Sequence, residues 1–165
     1  MQYSLVKTEY LTWDIVINQL NCMKRGFNWL IPSSRINHLD EKQFEKLLCG
    51  SSKIDVEEWW LSTKYRGAYN ASHKVIDWFW TCLTTYDQKE LAIFLQFCTG
   101  TSRLPIGGFT ALEGSRGGKQ PFTIEYEYYS KRSPYPRAHT CFNRVDLPNY
   151  PTYLELKRNM DYIIS

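Results

Sequence analysis

Four times along this chain a short polar residue is followed, three positions later, by Glu or Gln beside an apolar run: Asp40–Gln43, Asp55–Glu58, Asp87–Glu90 and Thr152–Glu155. This spacing marks a helix start, because a side-chain oxygen at the cap accepts from backbone N–H groups that the first turn leaves without partners. Each start is followed by apolar residues at helical spacing. Phe44, Leu47 and Leu48 follow the first, Trp59 the second, Leu91, Phe94, Leu95 and Cys98 the third, and Leu156, Met160 and Ile163 the fourth. Leu39, ahead of the first cap, is expected to staple against Phe44. The intervening lengths and stripes differ, so the shared grammar is not an internal repeat.

Two more helical stripes stand between these starts. Val16, Leu20, Met23 and Phe27 recur from about Trp13, with Gly26 expected to stop the helix and Pro32 to end any continuation. Ile76, Phe79, Trp80 and Leu83 predict a helix from about Ser72. After Gly100 the pattern changes. Thr101 to Gly118 holds five of the nine glycines and excludes a long regular element. Phe122, Ile124, Tyr126 and Tyr128 then alternate with polar residues, as in a strand with one buried face. A proline-containing loop, Ser130 to Pro136, leads to a second strand through Cys141, closed by Pro148. Helices first, then a few strands and one more helix, predict an α+β fold. The small polar junction Gly50-Ser51-Ser52-Lys53 reads either as an inter-domain hinge or as a plain helix–helix turn.

The formal charge of +3, with no long basic run, argues against nucleic acid as a partner. The opening MQYSLVKTEY is too polar for a targeting core, and the run from Val75 to Leu83 is short and broken by Asp77, so no membrane span is expected. Five cysteines without CxxC spacing, and three histidines, support neither a disulfide framework nor a zinc site. No metal and no cofactor is expected, and the glycine-rich stretch lacks any Walker or dinucleotide spacing. A reducing interior, cytoplasmic or nuclear, fits this cysteine usage.

Cys22, Cys82 and Cys98 fall in helices and Cys49 at a helix end, where small structural hydrophobes are expected. Cys141 differs. It lies in His139-Thr140-Cys141-Phe142-Asn143, and on an extended backbone His139, Cys141 and Asn143 would share a face. An imidazole beside a thiol favours the nucleophilic thiolate. A His-x-Cys spacing is also common by accident, and the other two residues have structural readings: a histidine packed on a sheet, an asparagine in a turn. A cysteine hydrolase would need the Cys–His pair oriented by a third group.

Ala138 to Asn143 followed by Asp146-Leu147-Pro148 resembles the active-site segment of HECT-type ubiquitin ligases. Leu95 to Pro105 with Gly108-Phe109 resembles that family's other strong signature. Further matches run in family order from about Gly26: Leu47-Leu48-Cys49-Gly50, Ile54-Asp55-Val56, Thr63-Lys64-Tyr65 with Gly67 and Tyr69, and Trp78-Phe79-Trp80. The resemblance implies residues 1–50 as the end of a helical N-lobe, 51–54 as the inter-lobe hinge and 55–165 as the C-lobe. It implies that Cys141 accepts ubiquitin as a thioester from a conjugating enzyme and passes it to a substrate lysine. His139 and Thr140 would be its supporting neighbours and Phe142 a lobe-junction residue; Asn143 and Asp146 would support the loop. The family's conjugating-enzyme site would lie upstream of this chain, and its Gly-Phe-Gly-like tail would follow the last helix, where this chain ends at Ser165. The isolated chain is therefore expected to be charged poorly. A non-catalytic module that binds ubiquitin or another partner is the alternative.

Overall fold

The computed structural model describes residues 16–165. Trp13, expected near the first helix start, lies outside the described residues. The chain divides into two compact units, Met1–Glu45 and Lys46–Ser165.

Within the first unit, helix α1 spans Ile17–Leu30, runs straight through Gly26, and ends where Ile31 turns extended. Gly26 weakens a helix interior by only about 1 kcal/mol, whereas Pro32 disfavours helical backbone at the residue before it. The stop is thus the proline and not the glycine. A 3-10 turn, Ser33–Arg35, leads on to helix α2, Glu41–Cys49. Its cap is the reciprocal one expected: the Gln43 N–H donates to Asp40 Oδ1 at 2.7 Å, and the Asp40 N–H donates to Gln43 Oε1 at 3.0 Å. Phe27 and Phe44 meet edge to face, 5.8 Å apart. The apolar stripes of both helices were expected to be buried, yet Leu20, Met23, Leu47 and Leu48 are exposed. Among the described residues no apolar layer covers them.

In the second unit the same capping grammar gives helix α3, Val56–Ser62, where Asp55 accepts from the Glu57 and Glu58 N–H groups. Glu58 does not return the bond; its carboxylate accepts the Phe109 N–H at 3.0 Å and so ties α3 to the glycine-rich segment. Strand β1, Lys64–Arg66, follows, then helix α4, Lys74–Thr84, and helix α5, Gln88–Thr99. Helix α5 carries the complete Asp87–Glu90 capping box and closes on Gly100 at φ 81°. The glycine-rich stretch holds one 3-10 turn, Gly108–Ala111. Strands β2, Thr123–Glu127, β3, Arg137–His139, and β4, Arg144–Pro148, precede helix α6, Tyr153–Ile164. None of the described helices is long and apolar enough to cross a membrane.

The four strands form one sheet in the order β1-β2-β4-β3, so the fold is α+β. Strands β1 and β4 run parallel to β2, and β3 runs antiparallel to β4. Strand β1 has no sequence signal, because three residues are too few to show a period; pairing of Tyr65 with Ile124 holds it in place. Ile124, Val145 and Leu147 are fully buried, in one core with Ile76, Phe79, Phe94, Leu95, Leu156 and Met160.

Trp59 sits at the middle of that core. It stacks on Phe109 at 4.8 Å and meets Phe122 at 5.1 Å and Phe94 at 6.0 Å. Its Nε1 is buried without a hydrogen-bond partner. Trp59→Ala is expected to destabilise the second unit by about 3–5 kcal/mol in urea unfolding. Trp59→Phe should cost clearly less, because it keeps an aromatic ring and removes a buried donor that has no acceptor.

Candidate active-site loop

Strands β3 and β4 form a hairpin closed by the pairing of His139 with Arg144, which leaves Thr140–Asn143 as a four-residue connection. Thr140–Phe142 is a turn of 3-10 helix and Asn143 is left-handed, φ 46° and ψ 45°. Such a turn followed by a left-handed residue is a common way to reverse a chain between antiparallel strands. Asparagine tolerates this backbone better than most residues, and Asn143 is the one non-glycine with positive φ among the described residues. Cys141 therefore stands in a tight turn. The extended strand expected there is absent, and with it the shared face for His139, Cys141 and Asn143.

Each of the three finds separate surroundings. The Cys141 side chain is exposed, and among the described residues its Sγ makes no hydrogen bond. Its backbone is held: the Cys141 carbonyl accepts the Ser115 N–H at 3.1 Å. Asn143 is buried, and its Nδ2 donates to the carbonyls of Glu113 at 3.0 Å and Gln120 at 2.9 Å. His139 Nε2 is hydrogen-bonded at 2.8 Å to Asp146 Oδ2. The structure thus assembles a His139–Asp146 pair and no Cys–His–Asn triad. Thr140 and Phe142 flank the thiol and are exposed, Phe142 by half of its surface.

Asp146 belongs to a chain of charges on one face of the sheet. Arg144 Nη1 donates to Glu125 Oε2 at 2.6 Å, and its Nε lies 3.1 Å from Asp146 Oδ1 as an ion pair lacking hydrogen-bond geometry. On the same face Arg137 pairs with Glu127 at 2.6 Å.

The other cysteines are placed differently. Burial pushes the Cys98 thiol well up, and burial also pushes up Cys82, whose Sγ donates to the Tyr86 hydroxyl. Both are thereby kept as thiols, in line with a structural role. Cys49 is exposed at the end of α2. Cys22, read as a small buried hydrophobe, is also exposed, since the α1 stripe lies at the surface; it accepts from Arg25. Among the described residues no three His, Cys, Asp or Glu side chains are arranged to hold a metal ion.

Residues 2–165 match the family model described as "HECT-domain (ubiquitin-transferase)". The chain belongs to the HECT-domain family. It is 42% identical over 164 residues to the E3 ubiquitin-protein ligase RSP5 of Saccharomyces cerevisiae, covering 99% of this chain and 20% of that protein. With human E3 ubiquitin-protein ligase NEDD4 it is 46% identical over 138 residues, 84% of this chain and 10% of that protein. With Drosophila melanogaster Nedd-4 it is 44% identical over 158 residues, 92% of this chain and 15% of that protein. The HECT-family chain thus spans a tenth to a fifth of the length of these relatives.

Sequence reasoning singled out Cys141 and its neighbours but missed Glu113, Ser115 and Gln120, which hold the loop from behind. Their signal was the run of glycines, which was read only as turns. The ion-pair chain yields a direct expectation. Asp146→Ala leaves Arg144 and His139 facing each other without a carboxylate between them, and should cost about 1–3 kcal/mol in urea unfolding.

Proposed function

We propose that this chain is the catalytic end of a HECT-type ubiquitin transferase and that Cys141 is its acceptor thiol. The observation that carries the reading is an exposed thiol on a backbone-held turn, in a chain that belongs to this family. In the first step Cys141 Sγ, as thiolate, attacks the carbonyl carbon of the thioester joining ubiquitin's C-terminal glycine to a conjugating enzyme. The old C–S bond breaks and the enzyme's thiolate leaves. In the second step a substrate lysine amine attacks the new thioester, the C–S bond to Cys141 breaks, and the amine's proton passes to water or to a nearby base. Thiol-to-thiol transfer is close to balanced in energy, so placement of the thiol counts for more than a strong base beside it.

The surroundings suit that chemistry. A thiol standing out on a turn admits two bulky partners in succession, where a deep pocket would exclude them. The His139–Asp146 pair holds the end of β3 against β4, next to the turn. Thr140 and Phe142 flank the thiol on the surface, where ubiquitin or the other lobe would meet them. In this reading residues 1–50 end the N-lobe, 51–54 link the lobes and 55–165 form the C-lobe. Ser51 is bonded in both directions to Leu104, and Ile54 to Gln88, so this link is fastened to the C-lobe at both of its ends. The conjugating enzyme would dock on the upstream part of the catalytic domain, and the reducing cytoplasm would keep Cys141 free.

The test supplies the chain, joined to the upstream catalytic segment of a relative, with activating enzyme, conjugating enzyme and ubiquitin. A ubiquitin adduct sensitive to thiol is expected on non-reducing gels. Cys141→Ala should abolish it, and Cys141→Ser should replace it by an oxyester that survives thiol. Ubiquitin binding that persists in Cys141→Ala, with no adduct in the wild type, would instead mark a non-catalytic binding module.

A further inference from the structure

The segment Glu113–Gln120 is a small hairpin with no evident share in the core. Glu113 and Lys119 pair across it, the Gln120 N–H donates to the Leu112 carbonyl at 2.8 Å, and Gly117 and Gly118 turn it at φ 69° and 115°. Residues 115–119 are all exposed. Yet this surface hairpin is fastened to the nucleophile's turn at three points. The Ser115 N–H donates to the Cys141 carbonyl, and the Asn143 amide bridges the carbonyls of Glu113 and Gln120, one at each end of the hairpin. Contact is close as well. A Cβ added at Gly114 would stand 3.3 Å from the Cys141 carbonyl oxygen and 3.2 Å from the Gln120 Cβ.

We propose that the Glu113–Gln120 hairpin is a positioning element for Cys141, and that Asn143 is the positioning residue through which it acts. The inference rests on Cys141 being the ubiquitin acceptor. A four-residue turn has few bonds of its own; the one inside this loop is the Asn143 N–H to the Thr140 carbonyl, at 3.2 Å. Without the hairpin, the turn would keep that bond, the Thr123 N–H to Asn143 carbonyl bond at 2.9 Å, its packing against helix α5 and the two strand ends, none of which holds the Cys141 carbonyl or the Asn143 side chain. The amide of Asn143 does two things that glycine or aspartate cannot do together. It occupies a left-handed position, and it donates to two backbone carbonyls that would otherwise be left without this partner. Transfer between two thiols needs the attacking sulfur about 3–3.5 Å from the carbonyl carbon and in line with it, and displacement by about 1 Å can cost ~100-fold. Alkylation by a small reagent makes no such demand on an exposed thiol.

That contrast gives the experiment. The donor is a ubiquitin C-terminal thioester of a small thiol, so that the 165-residue chain is charged directly: Cys141 Sγ attacks the carbonyl and the small thiolate leaves. The rate at saturating donor is compared with iodoacetamide alkylation of Cys141, followed by peptide mass spectrometry, and with thermal melting. Asn143→Asp and Asn143→Gly should each slow ubiquitin transfer by about ten-fold or more while alkylation stays within about two-fold. Glycine keeps the left-handed backbone at no steric cost, so transfer at the wild-type rate in Asn143→Gly overturns the proposal. So does a parallel fall in transfer and alkylation, which would mark a purely structural role. Should both variants fail to melt cooperatively, Gly114→Ala decides. It leaves Asn143 and the core in place and crowds the Gln120 side chain and the Cys141 carbonyl oxygen, so that hairpin and turn must shift apart by a few tenths of an ångström. Slower transfer with unchanged melting supports the proposal, and unchanged transfer overturns it. A wild-type chain that forms no adduct at Cys141 contradicts the transfer reading itself, whereas a wild-type adduct with undiminished variants contradicts only the positioning role.

Discussion

The parallel pairing of β2 with β4, in register from Thr123–Arg144 to Glu127–Pro148, is the interaction on which the rest of the second unit depends. Its inner face supplies Ile124, Val145 and Leu147 to the core. Its outer face sets Glu125 directly against Asp146, two carboxylates side by side, an arrangement that is unfavourable if left alone. Arg144 lies between them and binds both, and His139 on β3 takes the other oxygen of Asp146. Removing charge from this face would therefore loosen the strand pairing that places the Cys141 turn, even though Asp146 and Cys141 do not touch the same partner.

The turn, which also packs against helix α5, has its backbone held from two directions. On one side the sheet fixes where β3 ends and β4 begins. On the other, the glycine hairpin takes hold of the Cys141 carbonyl and the Asn143 amide. Between these supports the thiol is exposed, and among the described residues its Sγ makes no hydrogen bond. Under the proposed function this division suits a nucleophile that meets two macromolecules in turn: held backbone, open side chain. A buried triad would activate the sulfur more strongly but would close it to a bulky acyl donor.

How much of this was legible in the sequence followed from how local each interaction is. Helix caps involve residues three apart, and all four starts were read correctly; the stripe Leu91, Phe94, Leu95 and Cys98 was buried as expected. Gly26 misled because a glycine ends a helix only where a left-handed residue is needed, and Pro32 was already there to do it. The strand expected through Cys141 failed for a related reason: alternation describes face, but Asn143 reverses the chain within four residues. The apolar side chains of α1 and α2 show that a stripe predicts an apolar face, not what covers it. For the site, the residue types were legible and their partners were not. The partner of His139 lies seven residues on, and those of Asn143 lie more than twenty residues back.

Under the proposed function, one thiol of five receives ubiquitin. The most direct measurement is tandem mass spectrometry of the charged species, kept under non-reducing conditions, with the chain joined to an upstream HECT segment. The expected result is ubiquitin's C-terminal glycine on Cys141, with Cys22 and Cys49 unmodified although both are exposed. Attachment through Cys22 or Cys49, or adducts spread over all three exposed thiols, would contradict it.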